Sequence, residues 1–326
     1  MVQSRSLSQT RHLATTADTA GFDWLGFPDS PAVYQDTFLH QMEALRATER
    51  VHVGPFVTHL TLRHPVTVAN ALSTLDEAGP GRVRAALGTG NSGATGLGIR
   101  PARLAEMQEG FACIRDWWAG RASSFRDSSL PATGLVRPSA PLLLAADGPR
   151  GAELAARIGD GLVYSGGIDS DMIRSRRQGV LPERPWELWV APTFSLAERY
   201  EDVFDDVGAQ VVAMANRALR GGPDVSGVPP ELRNDVRELH ERYDYGAHAD
   251  AEREGNMHAA SPALARYLVD RFVIWGNAQQ WSSALDEIAN VCDGVVFVFG
   301  HRDPHDAMSR LSERLGRLGL VNDAAV

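Results

Sequence analysis

Short apolar runs alternating with amphipathic helical stretches, a length of 326 residues, and run ends rich in glycine and small polar residues predict an α/β chain folded as one (β/α)8 barrel of the TIM type. Repeated strand–helix alternation makes the strands parallel, and a closed barrel is favoured over a doubly wound sheet because it gathers every strand end on one rim. One barrel domain then accounts for residues 1–326, with about 220–270 as an insertion or lid near the C-terminal rim.

In chain order, the first helical pattern starts near Ser6, which leaves only residues 1–5 for a first strand that is curtailed or missing. Helices follow at 7–20, 36–48, 65–77, 103–119 and 150–158, each with apolar residues three and four apart. Pro65 suits the first turn of its helix because its missing N–H has no intrahelical partner there. Strands are predicted at 24–27, 51–57, 83–87, 142–145, 161–164, 187–192 and 295–299. The stretch 220–270 breaks the alternation with Gly221-Gly222-Pro223, Pro229-Pro230 and a polar helix at 235–243. Such an excursion over a barrel mouth can exclude water from a site, or lie merely at the periphery.

The formal charge is −9 with pI near 5.6, and the arginines are scattered through helical stretches, which argues against a nucleic-acid partner. All 32 basic residues are arginine, so Schiff-base chemistry and a phosphate-binding Walker lysine are excluded. Cys113 and Cys292 sit in apolar contexts, far from any second ligand cluster, and read as buried free thiols. Without His-Glu-x-x-His, paired cysteines or clustered carboxylates, no metal is expected. No basic head precedes an apolar run and no apolar segment spans a bilayer, so a cytoplasmic protein without membrane contact is expected.

The most informative segment is 87–98, where an apolar strand empties into Gly88-Thr89-Gly90-Asn91-Ser92-Gly93 and then a helix. Glycines allow positive φ and close backbone approach, so the turn can receive an anion or a flat ring, or be an ordinary turn. Gly88-x-Gly90-x-x-Gly93 has no acid closing a following strand and no Gly-Lys-Ser is present, so the two commonest nucleotide fingerprints fail.

Several fragments in order resemble the luciferase-like flavin or deazaflavin oxidoreductases, in particular the branch of methylenetetrahydromethanopterin reductase. They are Ala20-Gly21-Phe22-Asp23 with Asp29; Thr48-Glu49-Arg50-Val51 leading into Val57-Thr58; Arg63-His64-Pro65; Thr74-Leu75-Asp76; and Gly81-Arg82. Gly88-Thr89-Gly90 with Leu97-Gly98, and Ala145-Ala146-Asp147-Gly148-Pro149 leading to Asp160-Gly161, complete the set, and the resemblance returns near 270–276. It implies a barrel, a homodimer, and a reduced isoalloxazine-type ring at the C-terminal rim, engaged either in hydride transfer with coenzyme F420 or in oxygen activation with reduced FMN.

On that resemblance Thr58 and Asn91 are the catalytic candidates, with Thr58 facing the N5 edge of the ring. Asn91 stands where the deazaflavin reductases carry aspartate, and an amide cannot act as a carboxylate base. Asp29 is followed by Ser30 where several deazaflavin enzymes have histidine, which removes one acid/base candidate. Cofactor contacts are expected from Asp29, Thr58, Gly88, Thr89, Gly90, Asn91, Ala146, Ser165, Gly166 and Gly167, the Ser165 turn offering amides to a phosphate or being a plain glycine turn. Arg63 and His64 suit either a dimer seam or the rim. Tyr243, His248 and His258 bring titratable groups to the lid, unless they are solvated loop residues.

The two departures from the reductase pattern point first to a monooxygenase that takes reduced FMN and dioxygen to a small organic substrate, with a separate flavin reductase as a possible partner. The alternative is an F420-dependent reductase or dehydrogenase transferring hydride. A third reading, motivated by the curtailed first strand, is a flavin-binding barrel subunit without catalysis.

Overall fold

The computed structural model describes residues 1–177, 185–224, 226–248 and 255–321. Seven parallel strands form one curled sheet in sequence order: Trp24–Phe27, His52–His59, Ala85–Gly88, Leu142–Ala145, Gly161–Tyr164, Glu187–Val190 and Gly294–Val295. The ring closes through residues 1 and 2. Val2 N–H donates to Gly26 O at 2.9 Å, while Phe299 N–H donates to Met1 O at 3.1 Å and the Met1 nitrogen to Phe297 O at 2.7 Å. The first strand is therefore a stub of two residues between the first and last strands of the sheet, which agrees with the curtailed strand read from the sequence.

Side chains alternate across the wall, as period-2 geometry requires. Leu25, Val53, Ala85, Leu87, Leu142, Leu144, Leu162, Leu188 and Val190 face the helices in the main core, while Trp24, Phe56, Ala86, Leu143, Val163, Ala191, Val296 and Val298 fill the barrel interior. Arg84 plugs the end from which the strands start. Its guanidinium pairs with Glu187 at 2.5 Å and lies 5.7 Å and 5.1 Å from the rings of Trp24 and Trp189.

The helices begin where local chemistry satisfies their free N–H groups. Ser6 caps Leu7–Ala20 by accepting from Gln9 N–H, and Asp36 caps Thr37–Ala47 by accepting from Phe38 and Leu39 N–H. Pro65 opens Pro65–Ala78, with the His64 ring accepting from Val66 N–H at 3.2 Å.

Two expectations shift. The run predicted as a strand at 295–299 is regular only over Gly294–Val295; beyond it Val298 bridges to Thr193, beside a two-residue ladder of Thr193–Phe194 with Val273–Ile274 that the period-2 reading missed. The excursion also begins earlier than 220. Tyr200–Ala218, a 19-residue helix, packs with Arg233–Arg242 and Pro262–Phe272 around a second apolar cluster that includes Val207, Val211, Val236, Leu239, Leu268 and Phe272. This unit lies over the C-terminal rim. Residues 225 and 249–254 of the predicted insertion lie outside the described residues.

Candidate functional site

The strands' C-terminal ends open into two adjoining hollows. A smaller one of about 150 Å³ is bounded by Asp29, Ser30, Tyr34, Phe56, His59, Ser165, Gln210, Met214 and His248, among others. A larger cleft of about 800 Å³ runs along Gly88–Thr89, Ala145–Gly151, Tyr164 and Gly166. Val57, Gly90, Asn91 and Arg217 line both, so they mark the junction. The segments around 58, 90 and 166 thus converge on one place, although Thr58 itself lines neither hollow.

Asp29 anchors the wall of the smaller hollow. Its buried carboxylate accepts from Thr58 Oγ1 at 2.7 Å, Arg63 Nε at 2.8 Å and Arg63 Nη2 at 3.1 Å, and Arg63 also reaches Asp36 at 2.9 Å. The Thr58 hydroxyl, expected at a ring edge, is instead committed to this carboxylate. Arg63 belongs to the rim, and His64 caps the next helix with its ring edge-on to Phe125.

His59, which the sequence reading passed over, is 2% exposed and lines the smaller hollow, its ring nitrogens buried against the 90–93 turn and the Asp29 backbone. Its socket explains part of the glycine run. A Cβ at Gly93 would stand 2.4 Å from His59 Nε2 and 2.7 Å from Asp29 O, and Gly90, at φ 91°, would place one 2.8 Å from His59 Nδ1. Burial pushes the imidazole toward its neutral form, opposed by the nearby Asp29 charge. Asn91 opens the short helix Asn91–Thr95, and its buried Oδ1 lacks a partner.

The Ser165 turn is less free than its composition suggests. Ser165 N–H already donates to Asp147 Oδ1 at 2.8 Å, its hydroxyl accepts from Arg217 at 3.2 Å, and Gly166 O accepts from Arg271 at 2.8 Å. Gly167 backs onto Arg271. Among the described residues, six guanidinium groups line the larger cleft, those of Arg103, Arg150, Arg176, Arg217, Arg220 and Arg271, against the single carboxylate of Asp147. Tyr164 and Arg176 pack there against one another, the guanidinium 5.4 Å from the ring centroid and acting on its hydroxyl. Cationic side chains therefore line the cleft beside the Ser165 turn, whose amides were expected to meet a phosphate. Arginines scattered from 103 to 271 converge only when the strand ends do.

The lid candidates separate. Tyr243 is buried, and its hydroxyl meets His248 Nδ1 at 2.5 Å; Asn216 holds Tyr245 Oη at 3.0 Å and so ties this segment to Tyr200–Ala218. Burial, then Arg217 and Arg220, lower the His248 pKa to about 4, and burial raises that of Tyr243. His248 faces the smaller hollow, whereas His258 is exposed and lines neither. Thr89 and Ala146 lie on the cleft wall, with Thr89 O accepting from Ala102 N–H at 2.8 Å. Among the described residues no group of histidine, cysteine or carboxylate side chains could hold a metal, and no helix is long and apolar enough to cross a membrane.

Comparison with known proteins places this geometry. An F420-dependent glucose-6-phosphate dehydrogenase of Beutenbergia cavernae is 36% identical over 169 residues, covering 46% of this chain and 50% of the relative. An F420-dependent hydroxymycolic acid dehydrogenase of Mycobacterium tuberculosis is 33% identical over 168 residues, 46% of this chain and 47% of the relative. The chain spans about half the length of the curated relatives it matches. The solved coenzyme F420-dependent tetrahydromethanopterin reductase of Methanopyrus kandleri superposes with a TM-score of 0.70 at 14% identity, covering 95% of this chain and 94% of that one, which speaks for the fold alone. The profile of the luciferase-like monooxygenase family matches residues 1–293, and the chain belongs to that family.

Proposed function

We propose that this protein binds coenzyme F420 and catalyses hydride transfer to or from a carbon of a small organic substrate. The observation that carries the proposal is the arginine-lined cleft beside the glycine turn. F420 is a deazaflavin whose side chain bears a phosphodiester and a run of glutamyl carboxylates, a polyanion that six guanidinium groups facing one carboxylate suit. The single phosphate of FMN leaves most of that charge uncompensated. The F420 dependence of the curated relatives supports the same choice. On this basis the alternative drawn from the sequence displaces the monooxygenase preferred there.

The residues present fit such a group. The unpartnered, buried Asn91 Oδ1 belongs to a residue at the junction, and Gly88, Thr89 and Gly90 form part of the cleft wall. When bound, F420 supplies a two-electron hydride donor or acceptor. Arg103, Arg150 and Arg220 at the open side attract the anionic tail, while Arg217 and Arg271, fixed to Ser165 and Gly166, hold the inner part. Val57, Asn91 and Arg217 sit between the two hollows, so the smaller one is the substrate pocket. Phe56, Met214 and the Tyr200–Ala218 helix exclude water from it, and His248, kept neutral, orients a polar atom of the substrate.

Mixing the protein with reduced F420 and with reduced FMN under air tests the reading. Retention of F420 without oxygen uptake is expected. Retention of FMN with oxygen consumption would restore the monooxygenase, and binding of neither would leave a barrel without this chemistry.

A further inference from the structure

A third hollow, of about 620 Å³, lies at the C-terminal ends of the last two strands and shares no lining residue with the two described above. It is set between the first half of the Tyr200–Ala218 helix, the strand Thr193–Phe194 and the turn that leads from Val298 into the helix Pro304–Arg317. Asp206 and Ala209 face it, whereas Gln210, one residue on, lines the smaller hollow. The Gln210 side chain packs on Gly300, where a Cβ would stand 2.3 Å from its own, and this contact lies between the two hollows.

Its charge is opposite to that of the arginine-lined cleft. Five carboxylates, those of Asp202, Asp205, Asp206, Asp303 and Asp306, face two guanidinium groups, those of Arg302 and Arg310. The loops after the seventh and eighth strands of a barrel frequently receive a phosphate, and this lining repels one. Asp303 is taken up by the N–H groups of His305 and Asp306, and Asp306 meets Arg310 at 3.5 Å. Asp205 is exposed and has no partner among the described residues. Asp206 uses one oxygen, Oδ2, for both Ser195 Oγ at 2.7 Å and His301 Nε2 at 3.5 Å, so Oδ1 remains for a ligand. His301 is an independent feature of the same wall. Its side chain is 9% exposed, its ring centroid lies 4.5 Å from that of Phe194, and with Nε2 turned to Asp206 its Nδ1 has no partner. An imidazole whose Nε2 donates to a carboxylate keeps Nδ1 as an acceptor, so Asp206 and His301 each bring a spare acceptor to the pocket. Phe194, Leu196, Ala209, Met257 and Ala307 supply the apolar part of the lining. No group of histidine, cysteine or carboxylate side chains among the described residues could hold a metal, so the cation that suits this lining is an organic one.

We propose that this pocket is a second binding site, for a small organic cation that joins a primary ammonium or guanidinium group to an apolar stem. The charged group donates to Asp206 and is drawn in by the exposed carboxylates of Asp202 and Asp205, while the stem lies against Phe194, Leu196 and Met257. Hydrogen bonds from a cation to a carboxylate are the strong ones, and the spare acceptors on Asp206 and His301 call for a group with several N–H donors. Carboxylates around the pocket raise the local concentration of such a cation and turn away anions, so two sites on one rim are kept apart by the sign of their charge. The inference does not depend on the hydride-transfer reading.

Calorimetric titration of the full chain with 2-phenylethylammonium, and with 2-phenylethanol and 3-phenylpropionate as its neutral and anionic counterparts, tests the site. The ammonium should bind one to one, more weakly as salt is added, and about tenfold or more tightly than either counterpart. Asp205→Arg, at an exposed position, should weaken its binding by about three- to thirty-fold, and Asp206→Asn by about tenfold or more. In imidazole NMR the ammonium should move the His301 resonances and leave those of His59, in the smaller hollow, in place. Absence of ammonium binding, equal affinity for the alcohol, binding that survives both substitutions, or shifts at His59 in place of His301 overturns the assignment. Urea melts establish that the variants fold; should Asp206→Asn fail to, Asp205→Arg and the resonance shifts decide.

Discussion

Replacing Arg63 with leucine tests the network on which the site wall rests. The substitution removes two hydrogen bonds to Asp29, at 2.8 and 3.1 Å, one to Asp36 at 2.9 Å, and a guanidinium 4.9 Å from the Phe38 ring centroid. What remains is a carboxylate whose side chain is only 2% exposed, with one hydroxyl donor, Thr58. Stripping the partner from a buried ion pair costs about 3–5 kcal/mol, far above the ~1 kcal/mol of a neutral hydrogen bond. Urea unfolding should therefore show Arg63→Leu less stable by about that amount. Adding Asp29→Asn removes the orphaned charge, so the double variant should regain about 1–3 kcal/mol relative to the sum of the singles. A loss below about 1 kcal/mol for Arg63→Leu, or strict additivity of the pair, would refute the view that Asp29 is a buried charge held by Arg63.

Further outcomes follow from the same geometry. Gly93→Ala inserts a methyl group against His59 and the Asp29 carbonyl and should cost about 1–3 kcal/mol in urea melts while shifting the His59 ring resonances; unchanged resonances would contradict the socket. Arg103→Ala and Arg150→Ala, both at exposed positions, should each weaken F420 binding by about 0.2–1 kcal/mol and flatten its salt dependence, as read by fluorescence titration; no change in either would place the tail elsewhere. For His248 the folded pKa of about 4 lies below the unfolded value of about 6.5. The unfolded chain therefore binds the extra proton between these values, and the stability His248 contributes, complete above pH ~6.5, is lost as pH falls toward ~4. His248→Gln should be less sensitive to pH than wild type across that window, and identical slopes would show His248 to be solvated.

Much of the fold was legible because strand and helix periods are local properties of the chain. The strands at 24–27, 142–145 and 161–164 and the helix starts near Ser6 and Asp36 required no tertiary information. Closure of the ring by residues 1 and 2 is a matter of two residues meeting strands at both ends of the chain, too short for any periodic signal. The Thr193–Phe194 and Val273–Ile274 ladder was illegible for the same reason.

In the site, the glycine turn could be read from the residues and Asp29 from the resemblance, but their partners could not. Thr58 lies 29 residues from the carboxylate that takes its hydroxyl, so an isolated strand-end threonine pointed equally well at a ring. His59 adjoins that threonine, and its alternation on the strand was the one signal that could have placed it at the rim. The arginine cleft was hidden because its members come from five separate stretches, Arg103 just ahead of a helix, Arg150, Arg176 and Arg271 in three others, and Arg217 and Arg220 at and just past the end of Tyr200–Ala218, and each alone looks like ordinary helix-surface charge.

Equilibrium titration of the full chain with F420, with the same deazaflavin lacking phosphate and glutamates, and with FMN, each at several salt concentrations, tests the central claim most directly. Binding that is tightest for F420, weakens steeply with salt, and falls off for the tailless ring and for FMN is the predicted result. Equal or tighter binding of FMN, or affinity for F420 indifferent to salt and to its tail, would contradict it.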